Sequence, residues 1–179
     1  MSDSVGALLV LVAVVLVFGT AAWAGLRAAP WVPTRERDIR RMLDLAELKR
    51  GERLVDLGCG DGRVLTFAAR DYGALATGYE ISLLPYLVAK LRCLFHPSLQ
   101  RQLDVRYRDF YRVSLSEADV VFCFLTPMAM KRLKTKFVQE LKPGARVVSY
   151  AFALTELPGV VAQKPDKTQA TAYLYVHKL

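Results

Sequence analysis

The hydrophobic residues of this chain follow three patterns: one long uninterrupted run, several short runs, and stripes that repeat every three or four positions. The long run, residues 5–26, contains no charged side chain. A helix of this length spans about 33 Å, enough to cross the roughly 30 Å hydrocarbon core of a bilayer. The run therefore predicts one transmembrane anchor within residues 1–27, and we assign residues 28–179 to a single domain.

The rest of the chain alternates between short apolar runs and helical stripes. The runs predict strands, and the stripes between them predict helices that each bury one face. The last two strands are joined by the short segment 164–169, which permits only an antiparallel hairpin. The seven predicted strands lie at 54–57, 76–80, 103–109, 120–125, 146–152, 160–162 and 172–176.

Two of the four helices predicted after the anchor carry start signals. Thr34 is a suitable cap for the first, and Thr126 followed by Pro127 has the residues favoured at the cap and at the first helical position. The other two begin at Val64 and Leu83. Strand and helix alternate until the hairpin, which predicts an α/β fold with helices on both faces of one sheet. The buried faces of the two capped helices are predicted to be Ile39, Met42, Leu43 and Ala46, and Met130, Leu133, Phe137 and Leu141.

The charges beside the long apolar run indicate its orientation. The alternative to a retained anchor is a cleaved signal peptide, because residues 22–24 fit a small-x-small cleavage site. We favour the anchor, since no Lys or Arg precedes the run and it exceeds the roughly 7–15 apolar residues of a signal peptide. Only Asp3 precedes the run, whereas five arginines follow it, which places the domain on the cytoplasmic side. The five are Arg27, Arg35, Arg37, Arg40 and Arg41. Those in the first helix of the domain either face solvent or contact anionic lipid.

A glycine-rich turn follows the first predicted strand. The sequence around it is Asp-x-Gly-x-Gly-x-Gly, with Asp56 in the strand and glycines at 58, 60 and 62. A strand, a glycine turn and a helix N-terminus expose backbone amides to which a ligand can bind. Glu80 ends the second strand, at the distance where a carboxylate in dinucleotide-binding folds takes the ribose hydroxyls. The alternative is a tight turn that binds nothing.

The turn together with Glu80 resembles the class I S-adenosylmethionine-dependent methyltransferases. The resemblance implies a Rossmann-like seven-stranded sheet with a terminal antiparallel hairpin and S-adenosylmethionine as cofactor. It also implies that Asp109 accepts a hydrogen bond from the adenine amine while Phe110 stacks on the ring. A turn aspartate beside a core phenylalanine is the alternative for that pair.

A narrower resemblance covers about residues 30–152. Five segments come in the same order as in the small protein-lysine methyltransferases that include the archaeal lysine methyltransferases and the mitochondrial enzymes acting on ADP/ATP translocase and on the ATP synthase c-subunit. They are 30–35, 55–63, 78–80, 124–127 and 145–149. The cofactor-binding residues that it implies are Pro33, Thr34, Asp56, Gly58, Cys59, Gly60, Glu80, Ile81, Asp109, Phe110 and Thr126.

One departure concerns the segment after Glu80. The family has Asn-Pro-aromatic there, whereas this chain inserts residues 81–84 before Pro85 and Tyr86, so we expect a longer loop beside the adenosine. For a eukaryotic chain, the resemblance implies the matrix side of the inner mitochondrial membrane.

The methyl group of a sulfonium is already activated, so the protein mainly has to align the acceptor. A lysine acceptor must be neutral, and apolar walls lower its pKa. Aromatic residues expected near the cofactor can supply such walls and hold a methylated ammonium, although core packing is the alternative role of each ring. They are Trp31, Phe124, Tyr150 and Phe152. No residue is assigned as catalytic.

The sequence lacks the residues that a metal site, a disulfide framework or a base-methylating site would need. Three cysteines, at 59, 93 and 123, and two histidines form no metal-ligand spacing and no disulfide framework, so we expect no metal. Thr126 stands where enzymes that methylate base amines have Asn or Asp before Pro-Pro-aromatic. We therefore expect no nucleic-acid partner, and the basic residues of 131–136 are predicted to face solvent.

The predicted function is methyl transfer from S-adenosylmethionine to a lysine of a protein in or at the membrane, because the chain offers no insertion to close over a small metabolite. The alternatives are methylation of a phospholipid headgroup or small molecule, and cofactor binding without catalysis. We expect the glycine turn, Glu80 and Asp109 to function independently of the anchor.

Overall fold

Seven strands form one sheet in the computed structural model, which describes residues 2–154 and 160–178. Their order is β3-β2-β1-β4-β5-β7-β6; β1 to β5 run parallel, and β7 is antiparallel to both β5 and β6. The predicted hairpin and α/β class are therefore confirmed. The strands are β1 (Arg53–Leu57), β2 (Leu75–Glu80), β3 (Leu103–Tyr107), β4 (Val120–Cys123), β5 (Arg146–Tyr150), β6 (Val161–Gln163) and β7 (Ala172–Val176).

Helices cover both faces of this sheet. On one face, Leu65 and Ile39 pack with Leu54 of β1. On the other, Leu133 and Phe137 pack with the central strands. The central strands are buried on both sides, which is why β1 and β4 read as continuous apolar runs. The helices are α1 (Ser2–Arg27), α2 (Glu36–Leu45), α3 (Arg63–Tyr72), α4 (Leu83–Leu94) and α5 (Pro127–Glu140), and 3₁₀ turns cover Pro97–Leu99 and Phe110–Arg112.

The predicted buried faces of α2 and α5 are confirmed, and all eight residues are at most 5% exposed. The start of α5 is also confirmed, because the Thr126 hydroxyl accepts from the amide of Ala129 at 3.4 Å. The predicted cap of α2 is wrong. This helix begins at Glu36 with Arg35 as its uncapped N-cap residue.

Three predicted strands are longer than those observed. β3 stops at Tyr107, whose side chain is half exposed because β3 is an edge strand. β4 stops at Cys123. β5 stops at Tyr150, since Ala151 takes a positive φ of 68° that extended pairing does not allow.

Among the described residues, one helix, Ser4–Arg27 of α1, is long and apolar enough to cross a membrane. Residues 4–16 are exposed. The last third of α1 instead contacts the domain: Ala24 is buried, as is Ala28 just after the helix, and the hydroxyl of Thr20 accepts from the amide of Leu83 at 3.0 Å. The two parts of α1 therefore have different surroundings.

Candidate active site

The glycine turn lies at the carboxyl edge of the sheet, between β1 and α3. The amides of Gly58 and Cys59 donate to the carbonyl of Tyr79 at 2.9 and 3.1 Å, which ties the turn to β2. Gly60 has a φ of +54°, and an added Cβ would lie 2.8 Å from Cδ1 of Trp31. Only glycine therefore permits both the left-handed turn and the close approach of the Trp31 ring.

A cavity of about 360 Å³ opens above this turn. Its volume lies within the roughly 300–1,000 Å³ that ligand sites occupy. Most of the sequence-predicted cofactor residues meet in its lining, although they come from four separate segments. These are Pro33, Thr34, Asp56, Gly58, Cys59, Gly60, Glu80, Ile81 and Phe110.

Glu80 is fixed in this cavity by backbone amides. One carboxylate oxygen accepts from Gly60 at 2.9 Å, and the other accepts from Ile81 and Ser82 at 2.8 and 2.7 Å. The side chain is only 7% exposed. Because the three amides come from two loops, Glu80 joins the glycine turn to the β2–α4 connection.

The β2–α4 connection is short. Only Ile81 and Ser82 separate β2 from α4, since Leu83 and Leu84 already belong to the helix. The longer loop expected from the departure in sequence is therefore absent, and Ser82, Leu84 and Pro85 line the cavity from the connection and the first turn of α4.

Asp56 is a buried carboxyl that lines the cavity from β1. Burial raises its pKa well above the ordinary value, and the negative charges of Glu80 and Asp61 raise it further. A buried carboxylate is stabilised by a cation. Its position therefore suits a positively charged group of a ligand in the cavity.

Asp61 joins the glycine turn to two helices. Its carboxylate accepts from Arg63 of α3 and from Arg92 of α4, with shortest distances of 2.7 and 2.8 Å. Although burial opposes ionisation, the hydrogen bonds and charge of these arginines lower its pKa. Arg63 also donates to the carbonyl of Thr34 at 3.1 Å. These bonds hold the 31–34 segment across the cavity, so Thr34 acts through its backbone and not as the cap of α2.

The part of α1 from Val17 onward forms one wall of the cavity, a role that was not predicted from the sequence. Val17, Phe18, Ala21 and Ala24 line it. The cavity is therefore partly built from α1, and the expectation that the site functions independently of the anchor stays a prediction. A signal was present, because small residues at 21, 24 and 28 recur at the spacing of one helix face that permits close packing.

Asp109 lies beside this cavity and not in its lining. It borders an adjoining open cavity of about 330 Å³ that Ile81 and Thr20 also line. One carboxylate oxygen accepts from the amide of Tyr111 at 3.0 Å, and the other forms an ion pair with Arg27 at 2.8 Å. Asp109 therefore also holds the end of α1, and its contact with adenine stays a prediction.

Thr126 lies behind the cavity wall. Its hydroxyl donates to the carbonyl of Ala28 at 2.6 Å, and its amide donates to the same oxygen at 3.1 Å. It thus fixes the chain just after α1, while its neighbours Leu125 and Phe124 line the cavity.

Two of the four aromatic residues predicted to form walls line the cavity. Trp31 and Phe124 line the cavity, and Tyr150 contacts Phe124 edge-on with ring centroids 4.9 Å apart. Phe152 does not line it. The described residues include no group of three or more His, Cys, Asp or Glu that could hold a metal ion.

The arrangement matches a known family. The family model described as the ANTKMT methyltransferase domain matches residues 56–160. The chain belongs to this family. It is an S-adenosylmethionine-dependent enzyme of the protein-lysine N-methyltransferase class, as the resemblance implied.

Relatives of this methyltransferase come from archaea and animals. The chain is 37% identical over 153 residues to a protein-lysine N-methyltransferase of Saccharolobus islandicus, covering 82% of the chain and 92% of the relative. It is 34% identical over 144 residues to the adenine nucleotide translocase lysine N-methyltransferase of Mus musculus, covering 79% of the chain and 62% of the relative. It is 32% identical over 148 residues to the mouse lysine N-methyltransferase of the ATP synthase C-subunit, covering 82% of the chain and 58% of the relative. The methyltransferase thus spans about six tenths of each mouse relative.

Solved structures agree on the fold. An RNA methyltransferase from Salinibacter ruber in complex with S-adenosyl-L-homocysteine superposes with a TM-score of 0.75 at 31% identity, covering 82% of this chain and 94% of that one. A methyltransferase from Thiobacillus denitrificans in complex with the same product has a TM-score of 0.58 at 24% identity, with coverages of 76% and 53%.

The residues of the cavity fit S-adenosylmethionine. Glu80 would accept hydrogen bonds from the ribose hydroxyls and Asp56 would offer a carboxylate to a cation, while Gly60 lets the Trp31 ring lie against the turn. When bound, the cofactor supplies an electrophilic methyl on a positively charged sulfur. The chain's own contribution is to position the acceptor and to exclude water with apolar walls, which favours the neutral form of an amine.

Proposed function

We propose that this methyltransferase is anchored in a membrane by α1 and methylates a lysine of a protein in or at that membrane. The observation that carries the proposal is the division of α1. From Val17 onward α1 lines the cavity, whereas residues 4–16 are almost entirely apolar and exposed. An exposed apolar helix segment of this length is stabilised by lipid.

The contacts of α1 with the domain support a site close to the bilayer. Thr20 contacts the first residue of α4, and Arg27 contacts Asp109, so the helix joins the domain between these two positions. The stretch from 20 to 27 spans about 10 Å. A helix that crosses the bilayer therefore leaves almost no linker between the bilayer and the methyl site. Such a short tether raises the local concentration of neighbouring membrane proteins to roughly the millimolar range.

The cavity walls favour an amine as acceptor. Trp31 and Phe124 add aromatic surface to the lining, and burial against such surface lowers the pKa of a lysine. The names of the two mouse relatives give proteins as their targets, a translocase and the C-subunit of ATP synthase. They support a protein target for this chain as well.

Charge supports a cytoplasmic orientation of the domain, or a matrix orientation in a eukaryote. Arg35, Arg37 and Arg40 are exposed just after α1, and the positive-inside rule retains such residues on that side. Arg41 is different, because it is partly buried and donates to the carbonyl of Ala170 at 2.7 Å.

The test is to abolish insertion without changing the cavity. A triple variant Leu9→Lys, Val12→Glu and Leu16→Lys changes exposed residues that do not line it. The matched control is Leu9→Ile, Val12→Leu and Leu16→Val. We expect the polar variant to methylate a soluble lysine peptide normally but to lose most methylation in membrane fractions, measured by mass spectrometry. Equal methylation of the same membrane lysine by both variants would contradict the proposal.

A further inference from the structure

Helix α4 presents an apolar face to solvent. Leu87 and Leu91 are 51% and 53% exposed, and Phe95, just after the helix, is 74% exposed. Leu84 and Leu94 lie on the same face at helical spacing. The opposite face packs on the domain through Pro85 and Ala89, which are buried. The exposed leucines therefore contribute nothing to the core.

The charges around this face all have one sign. No Asp or Glu occurs from residue 81 to 103, and the charged residues of that segment are Lys90, Arg92 and Arg101. Arg92 is directed inward to Asp61. Lys90 is exposed, and a long lysine side chain beside an apolar face can keep its ammonium in water or near lipid phosphate. This composition is typical of a helix that lies in the surface of an anionic bilayer.

The position of α4 relative to α1 gives the depth of the face. The amide of Leu83, the first residue of α4, donates to Thr20 of α1. The part of α1 up to Thr20 is about 27 Å long, so when this part crosses the hydrocarbon core the start of α4 lies at the boundary between the acyl chains and the headgroups. Interfacial helices bury their apolar face roughly 5–10 Å into the headgroup and acyl boundary. The two depths agree.

We propose that the apolar face of α4 is a second membrane contact, which lies in the cytoplasmic leaflet beside α1. This inference rests on the proposed anchoring by α1 and goes beyond it, because a single anchor still lets α1 and the domain packed on it tilt together in the bilayer. Two contacts orient the domain. Since the first turn of α4 also lines the cofactor cavity, they hold the cavity at the bilayer surface.

The test measures the depth of single nitroxide labels in full-length protein, reconstituted in vesicles of phosphatidylcholine and phosphatidylglycerol. Labels are attached at Leu91→Cys and, separately, at Leu94→Cys, with Cys93→Ser as background because Cys93 is only half buried. The matched control is Val138→Cys on α5, which is exposed on the opposite face of the sheet. Leu11→Cys reports insertion of α1 independently.

We expect labels at 91 and 94 to gain collisions with oxygen and lose collisions with a water-soluble nickel chelate, relative to the label at 138. Water-like collisions at 91 and 94, with a buried label at 11, would overturn the inference and leave the anchor intact. Water-like collisions at 11 as well would overturn both proposals. Spin–spin broadening at 91 that disappears on dilution with unlabelled protein would assign the face to a second copy of the chain and also overturn the inference.

Discussion

Replacing Gly60 by alanine should damage the cofactor site through the Trp31 ring. The new Cβ would lie 2.8 Å from Cδ1 and 2.9 Å from Nε1 of Trp31, closer than atoms approach without movement. The matched control is Gly144→Ala. Gly144 also has a positive φ, +82°, but nothing lies within 4 Å of its Cβ position, and it precedes β5 at the edge of the sheet away from the cavity.

The two variants share one cost and differ in another. A left-handed alanine costs about 1–2 kcal/mol, so both should lose about that much free energy of unfolding. Overpacking costs about 1–3 kcal/mol, because it forces neighbouring side chains to shift. Trp31 is 44% exposed, so its ring moves outward and the cost appears in cofactor binding. We expect Gly60→Ala to weaken S-adenosylhomocysteine binding by about 5- to 150-fold, which corresponds to that range of energy.

Urea unfolding and titration calorimetry on both variants measure these two quantities. A third variant, Gly60→Ala with Trp31→Ala, completes a double-mutant cycle, and removal of the ring should shrink the effect of the added methyl. The reasoning is refuted if Gly60→Ala weakens binding no more than Gly144→Ala, or if the cycle shows no coupling with Trp31.

Three further predictions concern charged groups at the site. Glu80→Gln should weaken the binding of S-adenosylmethionine and of S-adenosylhomocysteine alike by about 1–3 kcal/mol. The side-chain NH₂ of glutamine is a donor, so it cannot accept from the backbone amides that bind the carboxylate; unchanged affinities by calorimetry would contradict this. Burial raises the pKa of Asp56, so above its ordinary pKa the native cofactor-free protein binds more protons than the unfolded chain, and stability falls as pH rises. Asp56→Asn should flatten that fall in urea unfolding across pH while weakening S-adenosylmethionine binding, and an unaltered pH profile would count against the assignment. Arg27→Gln removes a partly exposed ion pair with Asp109 worth at most about 1 kcal/mol, and should speed amide exchange in the last turns of α1; unchanged exchange would show that the pair does not hold the helix.

Local sequence signals predicted the sheet and the glycine turn well. A continuous apolar run such as 120–123 has no polar face, so it predicts a buried strand. Thr126 caps α5 and Pro127 begins it, so the start of this helix depends only on neighbouring residues. Gly60 adopts a positive φ, and the glycines at every second position indicate a turn that needs such a conformation. In these places the local preference and the tertiary environment agree.

Predictions failed where a distant residue decides the conformation. Thr34 has the residue type of a cap, but Arg63 donates to its carbonyl and helps to hold residues 31–34 in the lining of the cavity. The cavity wall formed by α1 was not predicted, because a helix without charged residues has the pattern of one that faces lipid on all sides. Contacts such as those of Thr20 with Leu83 and of Arg27 with Asp109 divide it into an exposed and a packed part.

Product identity tests the central claim, methyl transfer from S-adenosylmethionine to protein lysine, most directly. Full-length protein in vesicles is incubated with methyl-labelled cofactor, a membrane-protein extract, phospholipid and total RNA, with Glu80→Gln as the matched control, and each fraction is then hydrolysed. RNA is included because one structural relative is named as an RNA methyltransferase. We predict label in N-methyl-lysine from the protein fraction, reduced in the control. Label recovered only in lipid headgroups or in RNA would contradict the account.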